Sequence, residues 1–89
     1  MGGDKLTLSD ALRTAIKMGA PTYNKGDHRG CYKIYKHAAE AFLANRRLAR
    51  TDMEALQNGL KMAAREGSDS KKAWAMRNAF DMILGDMPM

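Results

Sequence analysis

Four stretches of this chain repeat apolar residues at helical spacing, almost none alternates with period two, and only a few residues separate one stretch from the next. That leaves no room for a sheet. In "KLTLSDALRTAIKMG", Leu8, Ala11, Leu12, Ala15, Ile16 and Gly19 share one face, and Thr7 with Asp10 reads as a capping box. A second helix opens at Asp27 as N-cap and turns Cys31, Ile34, Tyr35, Ala38 and Phe42 inward. A third opens at "TDME", with Thr51 and Glu54 as another capping box. It carries Met53, Leu56, Leu60, Ala63 and Ala64 on its inner face, and Gly67 reads as its C-cap. A fourth starts at Ser68 or Ser70 and runs to Leu84, with Ala73, Met76, Phe80, Ile83 and Leu84 inward; Gly85 ends it and Pro88 forbids its resumption.

The pattern predicts an all-α fold: a compact antiparallel four-helix domain, as one bundle or as two degenerate helical hairpins. At 89 residues the chain makes one domain, read here as residues 7–85 with a flexible 1–6 and a C-terminal tail at 86–89. Gly59 falls in the middle of the third helix, where glycine costs about 1 kcal/mol relative to alanine, so a close helix crossing is expected there. No apolar run is long enough to span a membrane, and "MGGDKLTL" lacks the apolar stretch of a signal peptide. The one cysteine, Cys31, cannot form an internal disulfide. It fits a soluble protein of a reducing compartment, and a processed organellar protein would look the same.

The most heavily specified stretch is "GAPTYNKGD", residues 19–27. Either Gly19 ends the first helix and the rest is loop, or the helix kinks at Gly19–Pro21 and continues one more turn through Tyr23 and Asn24. In the second case Gly26 takes the left-handed C-cap and Asp27 caps the next helix at once. The second reading gives Gly26 and Asp27 their usual tasks and leaves a short connection. Gly19, Pro21, Gly26 and Asp27 are then structural residues of the turn. Tyr23 and Asn24 are the ones that turn could present to a partner.

Gly19 stands twelve residues before the small Cys31, Tyr35 follows four later, Ala38 three after that, and Lys25–Asp27 fills the turn. Over residues 12–43 this spacing resembles a tetratricopeptide-repeat helical hairpin. The resemblance implies paired helices in a scaffold for protein–protein interaction. Ala15 stands in place of the repeat's large aromatic, Tyr23 lies one residue late, Leu43 replaces the closing proline, and Pro21 is foreign to the motif.

Chemistry finds little support in the sequence. His28 and Cys31 are three apart, but a metal needs three or four ligands; His37 points roughly 180° from His28 around the helix, and Asp27 is taken as a cap. Cys31 lies on the buried stripe, which does not suit a nucleophile. No nucleophile elbow and no Gly-rich phosphate cradle is present. No catalytic residue, metal or cofactor is expected, and the chain reads as a non-enzyme.

Binding is the better-supported class. Net charge is +5, from 15 basic and 10 acidic residues. Arg29, Lys33, Lys36 and Arg47 share an arc of the second helix opposite its core stripe, broken only by Glu40. Arg46 and Arg50 in "NRRLAR", and the lysines of "SKK" at 70–72, extend the positive surface. Tyr32, Ala39 and Leu43 form a second apolar strip on that helix, Trp74 lies about 100° off the core face of the fourth, and Met62 and Met82 face away from their cores. Aromatic and Met residues out of place in this way suit an interface centre, and eight Met in all add adaptable contact surface. The favoured function is therefore a small basic interaction domain, an accessory or linker subunit of a protein assembly, with Trp74, Tyr32, Leu43, Met82 and Tyr23 as contacts. The alternative is a small nucleic-acid-binding protein using the basic face of the second helix.

Overall fold

The structure, a computed structural model, describes residues 8–45 and 48–85. It is all-α: helix α1 (Leu8–Asn24), α2 (His28–Asn45), α3 (Arg50–Arg65) and α4 (Asp69–Leu84). Thr7, Arg46, Arg47, Pro88 and both terminal segments lie outside the described residues.

The helices form two sequential hairpins, α1 with α2 and α3 with α4, joined mainly where α2 packs on α4. Helices α2 and α4 are central, since each touches the other three, whereas α1 and α3 do not meet. That position explains a wide buried arc on α4: Ala73, Met76, Ala79, Phe80 and even Asp81. It also corrects the expectation for α3. As an edge helix α3 buries only Leu56, Gly59 and Ala63; Ala64 is exposed and Met53 is 37% exposed. Gly59 does mark a close crossing, because a Cβ there would stand 2.7 Å from the Cβ of Ala79.

Helix α1 runs through Pro21 to Asn24, the continuation that the second reading of the turn expects. Gly26 sits at φ 95°, its amide donating to Tyr23 O at 2.9 Å, and the Asp27 amide donates to Thr22 O at 3.1 Å. These two bonds make a Schellman closure. Asp27 then opens α2: its Oδ1 accepts from the Gly30 amide at 2.9 Å and its carbonyl from the Cys31 amide at 3.1 Å. One residue thus ends one helix and starts the next.

Two other caps differ from expectation. Helix α3 begins one residue before Thr51, with Ala49 as N-cap and no side-chain cap bond. Leu48 just before it packs against the core, which fixes the incoming chain without a capping hydroxyl. Glu54 pairs instead with Arg50 at 3.8 Å. At the other end of α3, extended Glu66 rather than Gly67 is the C-cap, and Lys72 Nζ donates to the Ala63 carbonyl at 3.2 Å. The Glu66 amide also donates to that carbonyl at 3.1 Å, so a local bond and a cation from the next helix close the end without a left-handed glycine. Ser68 caps α4 through the Lys71 amide at 3.2 Å, and Gly85, at φ 78°, closes it as expected.

Candidate functional site

The extension of α1 past Pro21 has a structural consequence beyond the turn: it carries Tyr23 across to α4. The Tyr23 hydroxyl accepts from Trp74 Nε1 at 3.1 Å and is hydrogen-bonded to Ser70 Oγ. The indole meets the phenol ring edge-on, centroids 6.0 Å apart at 76°. His28, the first residue of α2, stacks on the same phenol at 4.1 Å and 29°. Three elements therefore meet at one aromatic cluster. Trp74 stays 51% exposed while its N–H is spoken for.

Beside the cluster lies a cleft of about 140 Å³, lined by Ala20, Tyr23, Cys31, Tyr35, Trp74 and Arg77 among others. Its floor is a buried polar chain. Gly19 makes room for the Tyr35 ring, since a Cβ there would lie 2.5 Å from Cε1. The Tyr35 hydroxyl lies beside the Cys31 thiol and the Arg77 guanidinium, which donates through Nε to Asp81 Oδ1 at 3.1 Å. Burial, with the Cys31 contact adding to it, pushes the Tyr35 hydroxyl up to about 12. Burial also raises the Cys31 thiol, which Tyr35 only partly offsets, so the thiol is held protonated. For Arg77 burial pulls downward, but the bond to and charge of Asp81 win and keep the guanidinium firmly cationic. Arg77 thus has its counter-charge in Asp81.

Two of the expected contact residues, Tyr23 and Trp74, are thus brought into direct contact. Met82 is 65% exposed, and Met62 is exposed as well. The second strip on α2 is not a free surface: Ala39 is fully buried in the core, and Tyr32 and Leu43 are half-buried against it. The fold buries a wider arc of α2 than one stripe because α1 and α4 both cover it. His28, Ser70 and the Cys31–Tyr35–Arg77–Asp81 chain were not foreseen. Ser70 and Arg77 reach Tyr23 and Tyr35 from the other hairpin, and helical periodicity carries no information across that distance.

The basic face lies elsewhere. Arg29, Lys33, Lys36 and His37 of α2 line a groove with Asp69 and Lys72 of α4, and Tyr32 stands among them. Arg50 is exposed at the start of α3, paired with Glu54.

The chain matches no family model, no curated protein and no solved structure. No helix among the described residues is long and apolar enough to cross a membrane.

Proposed function

We propose that this chain is a non-catalytic helical interaction domain, an accessory or linker subunit that docks on a protein partner through the Trp74–Tyr23 corner. One observation carries the reading: Trp74 is half exposed yet fixed, by its hydrogen bond to Tyr23 and its edge contact with that ring. A large side chain already held in one place loses little conformational entropy on binding. A desolvated Trp at an interface centre is worth about 2 kcal/mol or more. The cleft next to it is large enough for one apolar side chain of a partner. The likeness of residues 12–43 to a tetratricopeptide hairpin belongs to the same proposal, and the seating of Gly19 against Tyr35 supports it.

The test is capture from the native source with the tagged full chain, followed by mass spectrometry. A protein partner held by the parent should be lost by roughly tenfold or more with Trp74→Ala, at unchanged helix content. A partner held equally well by both removes this reading.

A further inference from the structure

The groove between α2 and α4 is a second surface with a different chemistry, and it is independent of the Trp74 corner. Lys72 precedes Trp74 by two positions on α4, so the helix turns the two roughly 200° apart. The groove encloses about 400 Å³, and Asp69 is the one carboxylate in its lining against Arg29, Lys33, Lys36 and Lys72. Among the described residues, no carboxylate lies within ion-pair distance of Arg29, Lys33 or Lys36. Arg29 and Lys33 are exposed and Lys36 is half-buried. The fourth cation is fixed: Lys72 Nζ donates to Ala63 O at 3.2 Å and lies 5.6 Å from the centroid of the Tyr32 ring. The field is therefore positive, concave and partly preorganised, with an aromatic ring inside it.

We propose that this groove binds single-stranded nucleic acid. Arg29, Lys33 and Lys36 would meet successive phosphates, and the part of the Tyr32 ring that Lys72 leaves uncovered would meet a base. The three α2 cations follow one another at rises of about 6 Å and about 4.5 Å along the helix, a row that tracks a flexible strand of charges. A cationic groove with an aromatic in it is the combination that single strands select, since phosphates take the charges and any base can stack on the ring. A duplex and a planar anionic membrane would meet the cations and offer no unpaired base to the ring. An acidic peptide would satisfy the cations and make no use of the ring.

The probe is a fluorescein-labelled oligouridine about ten nucleotides long, read by anisotropy with the full chain. Three phosphate contacts on a single strand predict an affinity that falls roughly 20-fold between about 50 and about 200 mM salt. The double variant Lys33→Gln/Lys36→Gln should weaken binding roughly tenfold or more and flatten the salt dependence. Tyr32→Leu, which keeps an apolar group against the core, should weaken binding roughly tenfold and leave the salt dependence unchanged. Trp74→Ala should leave it unaltered, which separates this inference from the partner surface. The proposal is overturned by no binding at low salt with micromolar protein, or by parental affinity in the Gln double variant. It is equally overturned if polyglutamate, duplex of the same length or phosphatidylserine vesicles bind as tightly as the oligouridine.

Discussion

A missing methyl group at Gly19 shapes the site from beneath. The ring it admits has little room to give way, because Tyr35 is buried and meets Phe80 edge-on, centroids 5.3 Å apart. Gly19→Ala should therefore destabilise by about 1–2 kcal/mol, the cost of overpacking outweighing the helical preference of alanine. Gly67→Ala is the control: nothing lies within 4 Å of its Cβ position and its φ is not left-handed, so its melting temperature should match or slightly exceed the parent's. Tyr35 makes a further prediction. Its hydroxyl loses its proton at about 12 in the folded chain, against an ordinary value near 10 in the unfolded one. Between those values the native state binds more protons than the unfolded state, so stability falls as pH rises through that window and is fully present below it. Chemical denaturation at stepwise alkaline pH should show this loss in the parent and less of it in Tyr35→Phe. The importance of Gly19 was legible in its place on the inner face and its spacing to Tyr35. The polar chain beyond Tyr35 was not, because Arg77 and Asp81 reach it from another hairpin.

At the scale of elements, caps were readable where one residue's own geometry decides them and unreadable where a neighbour does. Gly26 and Asp27 act within their own turn, and each behaves as its residue type suggests. Gly26→Ala should cost about 1 kcal/mol through the left-handed backbone, and Asp27→Ala a similar amount through the lost N-cap. Matched thermal melts of both variants against the parent check the pair; melts that superimpose on the parent's remove the capping account. Thr51 and Gly67 had equally good local credentials and serve neither role. At the start of α3 Leu48 packs against the core, and at its end the Lys72 ammonium joins the Glu66 amide on the Ala63 carbonyl. The Leu48 and Lys72 contacts are tertiary, invisible to a reading of the segment alone. Pro21 shows the reverse. It gives up the helical bond to the Lys17 carbonyl, a local cost, yet α1 goes on for the turn that places Tyr23.

The whole molecule turns on the position of α4, which divides its side chains between core and surface. Phe80 is fully buried between the hairpins, while Trp74, six residues earlier on the same helix, lies at the rim of the cleft. Periodicity had placed both, because a phase difference around one helix is a local fact. It had not shown that Tyr23 would be waiting for the indole. Removing these two aromatics should therefore have opposite consequences. Phe80→Ala leaves a cavity at the centre of the fold and should cost about 3–5 kcal/mol, much of what a domain of this size possesses. Trp74→Ala loses one hydrogen bond and an edge contact at a half-exposed site, and should cost the free domain less than about 1.5 kcal/mol. Because Trp74 is the chain's one tryptophan, its emission reports on this site alone. The free domain should emit toward the red and be quenched by added iodide or acrylamide. Occupation of the corner by a partner should shift the emission to the blue and shield it. Blue, unquenched emission from the free domain would place the indole in the core. It would also remove the exposed anchor on which docking at this corner depends.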